Sequence, residues 1–415
     1  MIKAVYVFTN IEEKDTFVGT ARFNLRRGRI STTFSYAIEY LSNPSAYPID
    51  PAFPLRAQQY HADGLPGAFR DSSPDRWGRN LVAKRQKEFA LRTHTPLHTL
   101  DEVDFLLGAF DQTRQGALRF CAEDGGTFLS PSPGIPPLVQ LPQLLHASTR
   151  VAQENEGFDE LKLLLDAGSG SLGGARPKAS VFDGKRLLLA KFSHPGDEWD
   201  VMTWEKTMLD LARAAGIRVP KARLVPIGTE KALVMERFDR EDSLLEGVRL
   251  PYLSAMSLLG SQDGEGHDYV EIAEAASVFV DDAERCLEEL FARVAFSIAI
   301  NNVDDHLRNH GFIKTRQGWE LAPAFDINPD PHASSQRTTS IMGALGRDEA
   351  RGLAAARDDF GLDEDRTREL VCTILNATAA WATVARRNGC SQSELRLFKP
   401  VIDRQRTALE EAFVK

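Results

Sequence analysis

The segment Asn302-Val303-Asp304-Asp305-His306-Leu307-Arg308-Asn309 constrains this chain more than any other stretch. It follows Asp281 to Ile300, where Leu287, Leu290, Phe291, Val294, Ala295 and Ile298 recur at the period of a helix with one buried face, and Asn301 and Asn302 end that helix. Asp304 and Asn309 stand five positions apart, and Ala324-Phe325-Asp326-Ile327 adds a second carboxylate farther on. Two carboxylates and a carboxamide are the groups phosphoryl transfer needs. One accepts or orients a hydroxyl proton, and oxygens of the others hold a hard divalent cation against phosphate. In this reading Asp304 takes the proton, Asn309 and Asp326 are the metal ligands, and His306 supplies a cation near the transferring phosphate. The bland alternative is a helix cap and a polar loop.

A length of 415 residues exceeds what one core organises, so two or three packed units are expected. With 42% hydrophobic and 26% charged residues the composition is that of an ordinary globular protein, and no run of about 18 apolar residues could span a bilayer. The short, alternating amino terminus does not read as a signal peptide, so a cytoplasmic location is expected. The net charge of −9 excludes a surface that is cationic throughout; any nucleic-acid contact must be local. Cys121, Cys286, Cys372 and Cys390 lack C-x-x-C spacing and read as buried thiols.

Three regions are expected. Residues 1–140 begin with a small β unit through Tyr36, and Ser73-Pro74-Asp75 launches a helix to about Arg92, with Ser73 as cap and Pro74 in the first turn. A further helix is expected near Thr99 to Leu107. The Gly-, Ser- and Pro-rich stretch Ala122 to Gln140 is a linker or surface loop. Residues 141–240 hold a helical Leu141 to Leu165, a glycine-dense turn, two strands, a helix from Glu198 to Ala215, and strands Lys221–Pro226 and Lys231–Phe238 meeting at Gly228. Residues 241–415 are mostly helical and close with Glu364 to Arg387 and Ser391 to Phe413, the latter kinked at Pro400.

The turn Gly168 to Gly174 has the composition that lets backbone N–H groups approach phosphate, with Gly170, Ser171, Gly173 and Gly174 as contacts, but it lacks Walker A spacing. Lys191 is the single charge in Leu187 to Phe192, and Glu205 shares a helix face with Val201, Met208 and Ala212. A lysine that grips nucleotide phosphates, held by that glutamate, is one reading; a solvent-edge lysine and a surface glutamate is the other. The strand end at Glu236 to Phe238 reads either as the hinge beside adenine or as an ordinary strand end with Glu236 and Arg237 in solvent. Asp304, Asp305, His306, His310, Asp326 and His332 also admit a two-ion metal-dependent phosphohydrolase. Arg76, Arg79, Lys84, Arg85, Lys87 and Arg92 read as a solvated helix face rather than a nucleic-acid contact.

These residues resemble the HipA-like serine/threonine kinases, toxin components of bacterial type II toxin–antitoxin pairs. The resemblance is carried by Phe34-Ser35-Tyr36, Leu65-Pro66-Gly67-Ala68-Phe69, Pro74 to Arg79, Gly116-Ala117-Leu118-Arg119-Phe120, Gly173 to Lys178, Glu236-Arg237-Phe238-Asp239-Arg240 and the N-x-D-x-H-x-x-N loop. It implies an α+β, protein-kinase-like two-lobed fold with an N-terminal β-containing subdomain and a mostly helical C-terminal domain. It further implies ATP and Mg2+ as cofactors, a protein hydroxyl as acceptor (in some members on an aminoacyl-tRNA synthetase), and a helix-turn-helix antitoxin of HipB type that carries most operator DNA contact. Lys191, Asp304, Asn309 and Asp326 take the roles above by resemblance, Glu236 and Phe238 lie at adenine, and Ser169 or Ser171 is open to autophosphorylation. The sequence departs from ordinary protein kinases in lacking H-R-D and in carrying Asp326-Ile327-Asn328 for D-F-G. The rival of another class is a catalytically idle co-repressor.

Overall fold

A computed structural model describes residues 4–97, 99–123, 125–131, 134–169, 176–245, 247–332, 336–344 and 348–415. Gly170, Ser171, Gly173 and Gly174 of the expected phosphate-binding turn lie outside the described residues. The chain divides into two compact units, Met1–Gly196 with Val225–Leu253, and Asp197–Leu224 with Ser254–Lys415.

In the first unit, β1 (Ala4–Ile11), β2 (Lys14–Arg26), β3 (Arg29–Tyr36), β4 (Gln59–Asp63) and β5 (Arg119–Cys121) form an antiparallel sheet in the order β4-β3-β2-β1-β5. The period-two pattern read in the sequence is real: Val5, Val7, Val18, Ala21, Phe34 and Tyr36 point inward and are buried. Short helices α1 (Ile38–Leu41) and α2 (Gly67–Asp71) follow strands of this sheet, and Phe34 stacks on Phe53 while Phe69 meets Phe120 edge-on.

A second core forms where α3 (Arg76–Thr93), α5 (Leu141–Ala152) and α6 (Phe158–Asp166) meet β6 (Lys178–Phe182), β7 (Leu187–Phe192) and β9 (Glu230–Glu236), through Leu81, Leu144, Leu164, Val181, Leu188 and Val234. The sheet order is β6-β7-β9-β8, where β8 (Ala222–Ile227) crosses from the second unit into the first. The α4 helix (Glu102–Gly108) carries a capping box from Asp101. Two sequence expectations are corrected here. The cap of α3 is Asp75, not Ser73, because its carboxylate accepts from Gly78 N and Pro74 stays outside the helix. Leu141 to Leu165 is two helices: the intervening Glu154-Asn155-Glu156 has no apolar side chain to bury, Glu154 is left-handed at φ 56°, and Glu160 caps the second helix at Gly157 N.

The second unit is mainly helical: α7 (Val201–Ala214), α8 (Ala255–Leu258), α9 (Tyr269–Phe279), α10 (Ala283–Ala299), α11 (Glu349–Ala355), α12 (Glu364–Ala379), α13 (Trp381–Asn388) and α14 (Gln392–Phe413). The α10 helix is its axis, buried from Leu290 to Ala299. Trp204 of α7 stacks on Phe398 of α14 at 3.9 Å and lies 6.1 Å from Trp381. That packing explains another correction: Glu364 to Arg387 is not one helix but breaks at Ala380, which lets Trp381 bury its ring. The α14 helix continues through Pro400.

Candidate active site

The end of α10 sets the loop in place. Asn301 is left-handed at φ 56°, Asn301 N donates to Ile298 O and Asn302 N to Ser297 O at 2.9 Å, so the orphan carbonyls are satisfied as the chain turns out of the helix. The Asn301 carboxamide then accepts from Gln405 of α14 at 2.8 Å and donates to Asp330 O at 2.7 Å.

The two adjacent aspartates do opposite things. Asp304 is exposed, whereas Asp305 is buried beneath it. One Asp305 oxygen accepts from Tyr269 OH at 2.5 Å and Ser297 Oγ at 2.9 Å, and the other lies 3.0 Å from His310 Nε2. Burial alone would push this carboxyl up; His310, the hydroxyl of Tyr269 and nearby Arg337 outweigh it and hold the group well below the usual carboxylate range. Arg337, itself buried, donates to Ser297 Oγ at 2.7 Å, Asn302 O at 2.5 Å and Glu349 at 3.1 Å. Thr338 N and Thr339 Oγ1 bond Val303 O and Asp305 O. The loop backbone is therefore clamped from below while Asp304 stays exposed.

The buried Asn309 donates its amide nitrogen to Asp304 O at 3.0 Å, which leaves Oδ1 as the atom able to meet a cation. The hairpin of β10 (Gly311–Thr315) and β11 (Gly318–Leu321) pairs Phe312 with Leu321, and Ala322 N closes onto Gly311 O at 2.7 Å. Beyond the hairpin the chain returns Ala324 and Phe325 alongside the Asn302–Asn309 loop; Asn302, Asp305, Asn309, Ala324 and Phe325 line one small cavity of about 30 Å³. Asp326 is left-handed at φ 56°, a conformation that a short polar side chain tolerates and that clusters at functional sites, and its Oδ1 accepts from Asn328 at 3.2 Å. An oxygen on each of Asn309 and Asp326 suits a hard cation such as Mg2+ that keeps waters and phosphate oxygens as its other ligands. His306 is half-buried, and its Nδ1 has no hydrogen-bond partner among the described residues.

The bland readings of Lys191 and Glu205 do not hold. Lys191 on β7 is 5% exposed and sits directly opposite Lys178 of β6. Like charges facing each other across strands are costly, and the Lys178 ammonium is neutralised by Asp75, the α3 cap, at 2.8 Å. That pairing was missed in the sequence. Glu205, in the second unit, is fully buried on α7 with Val201, Met208 and Ala212, the face its spacing indicated.

At the end of β9, Glu236 is half-buried and paired with Arg186 at 2.5 Å, and Phe238 lies 6.2 Å from Tyr252. Arg237, expected in solvent by the bland reading, is buried. It pairs with Asp239 at 2.5 Å, and Asp239 also holds Arg240 at 2.9 Å and accepts from Gly116 N at 2.9 Å. Ser169 is wholly buried and its hydroxyl has no hydrogen-bond partner among the described residues; Ser171 lies outside them.

The basic helix face is an ordinary one: Arg79 grips Glu102 bidentately, Lys84 pairs with Glu156, and Arg92 pairs with Glu88. The residues of the phosphohydrolase reading scatter, since Asp305 and His310 turn into the buried network and His332 bonds Asp330 at 2.9 Å. Among the described residues no group of three or more His, Cys, Asp or Glu is placed to hold a metal ion. Among them, too, no helix is long and apolar enough to cross a membrane.

Comparison with known proteins supplies the family. Residues 170–382 match the HipA-like C-terminal domain and residues 10–106 the HipA N-terminal domain. The chain is 26% identical over 185 residues to the serine/threonine-protein kinase toxin HipA of Shewanella oneidensis, covering 38% of this chain and 42% of that one. It is also 26% identical over 166 residues to a putative kinase of Haemophilus influenzae, covering 36% and 48%. The matches thus span under half the length of these curated relatives. A solved structure of the Shewanella oneidensis toxin–antitoxin system HipA, HipB and operator DNA contains a chain of similar fold, with TM-score 0.63 and 17% identity over 98% of this chain and 97% of that one. The fold is accordingly α+β and kinase-like, and with both domain models matched the chain belongs to the HipA family.

Proposed function

We propose that this HipA-family chain is an ATP-dependent serine/threonine protein kinase, the growth-arresting member of a cytoplasmic toxin–antitoxin pair. The observation that carries the reading is the exposed Asp304 on a loop whose neighbour Asp305 is locked from beneath, with Asn309 just before and Asp326 just after one hairpin. In the reaction the acceptor hydroxyl oxygen forms a bond to the γ-phosphorus, the bond from that phosphorus to the β,γ-bridging oxygen breaks, ADP leaves, and Asp304 takes or orients the hydroxyl proton. Magnesium, held by Asn309 Oδ1 and Asp326, would offset charge on the β- and γ-phosphates. Lys191 binds the phosphates with the turn Gly170–Gly174, His306 adds positive charge near the transferred group, and Glu236 with Phe238 flanks adenine. The regions serving these roles are 1–140 as amino-terminal subdomain, 141–240 as nucleotide lobe and 241–415 as catalytic lobe.

The acceptor is a protein hydroxyl, with an aminoacyl-tRNA synthetase as the first candidate. The partner is a HipB-type helix-turn-helix antitoxin, through which operator DNA is mainly contacted. Incubation with ATP labelled at the γ-phosphate is expected to transfer label to protein serine or threonine, to stop on chelation of divalent metal, and to resume when magnesium is restored. Transfer that is indifferent to chelation, or no transfer under any condition, contradicts the proposal.

A further inference from the structure

The β2–β3 hairpin carries a charge pattern that the proposed function does not use. Its strand ends and turn hold Arg22, Arg26, Arg27 and Arg29, all exposed, and none of them forms an ion pair or side-chain hydrogen bond among the described residues. Residues 22 to 33 contain no carboxylate, in a chain whose net charge is −9. The register Arg22↔Thr33, Asn24↔Ser31 and Arg26↔Arg29 puts these side chains on the solvent face, opposite to buried Phe23, Thr32 and Phe34.

Two features of the tip work against the stability of the hairpin. Arg26 and Arg29 face each other directly, and like charges so placed are destabilising. The two-residue turn between them needs positive φ at both positions, and Arg27 occupies the first at φ 53° before Gly28 at φ 77°, where asparagine, aspartate or glycine fits with less strain. An isolated hairpin gains nothing from either choice. Both become favourable if the tip meets concentrated negative charge.

We propose that this hairpin is an arm that contacts the phosphate backbone of duplex DNA. Arginine with asparagine, serine and threonine is the side-chain set that bonds phosphate oxygens, and a two-stranded ribbon is narrow enough to enter a major groove about 12 Å wide. The rings on this face, His61 opposite Thr33 and Tyr6 opposite Thr20, lie toward the base of the hairpin, as does Asp63 opposite Ser31, so the tip from Arg26 to Arg29 offers no ring to stack on single-stranded bases. The inference goes beyond the proposed function, in which DNA contact falls to the antitoxin, and it does not depend on catalysis.

The test is binding of the purified full chain to a short fluorescent duplex DNA at salt concentrations from about 50 to 200 mM. The wild type is expected to bind with affinity falling steeply with salt. The triple variant Arg26→Gln/Arg27→Gln/Arg29→Gln should bind at least about tenfold more weakly, with the log–log salt slope reduced by about 3, one counterion per lost contact. The corresponding triple lysine variant should restore most of the binding, and Asp304→Ala should bind like wild type, which separates this idea from the kinase reading. Absence of wild-type binding, an unaltered glutamine variant that keeps its native melting curve, or equal displacement by polyglutamate would overturn the proposal, the last pointing to an acidic protein as occupant.

Discussion

Asp304→Ala is expected to lower the rate of phosphoryl transfer by about 10² to 10⁴, the range for loss of a positioned proton acceptor, while leaving the thermal stability of the protein unchanged. The split follows from exposure. Asp304 is exposed on a loop held by buried residues, so truncation there is expected to cost little scaffold compared with the proposed chemistry. The neighbouring Asp305 supplies the contrast, because it anchors Tyr269, Ser297 and His310 from a buried position. Initial-rate assays paired with thermal melts distinguish the two; a transfer rate for Asp304→Ala within a few-fold of wild type would remove this residue from the chemistry.

The second large effect concerns stability. Asp239→Ala is expected to cost about 3–5 kcal/mol, because it strips two buried guanidiniums of the carboxylate that pairs with both. Arg237 and Arg240 are both buried, and Asp239 pairs with each while accepting the amide of Gly116. Against a total stability of about 5–15 kcal/mol for a domain, that loss brings the first unit close to unfolding. Burial raises the Asp239 carboxyl, but Arg237 and Arg240 outweigh it and hold the group well below the ordinary carboxylate range. A carboxyl depressed in the folded state stabilises at every pH above its unfolded value, near 4, and loses that contribution as pH falls through and below it. Denaturant titrations should therefore show the wild type losing stability below about pH 4, with a smaller acid loss in Asp239→Ala. Equal stability of variant and wild type at neutral pH would mean that the two arginines find other partners.

What could be read from the sequence was local in origin. The apolar stripe of α10, its termination at Asn301-Asn302 and the inward alternation of β1–β3 depend on neighbours within a few residues, and they stand as expected. The candidate loop was legible because its residue types are unusual at that spacing. What was not legible was which of two adjacent aspartates would be buried, since that choice belongs to Tyr269, His310 and Arg337 on separate elements. The same holds for Arg237, whose carbonyl partner at Thr113 lies 124 positions away, and for Lys178, whose counter-charge is a helix cap 103 positions earlier. Helix breaks at Gly157 and Ala380 escaped because both flanking segments keep helical character, and tertiary packing of Trp381 decides the second.

The proposed function requires that Lys191 meet the triphosphate of bound Mg-ATP. An acyl-phosphate derivative of ATP, which transfers its acyl group to an amine beside the phosphates, reads this directly when the modified lysine is located by mass spectrometry. Lys191 should be the principal acylated residue, protected by excess Mg-ATP and left largely unlabelled in Asp326→Ala. Labelling spread over surface lysines with Lys191 untouched, or labelling of Lys191 that Mg-ATP does not suppress, would contradict it.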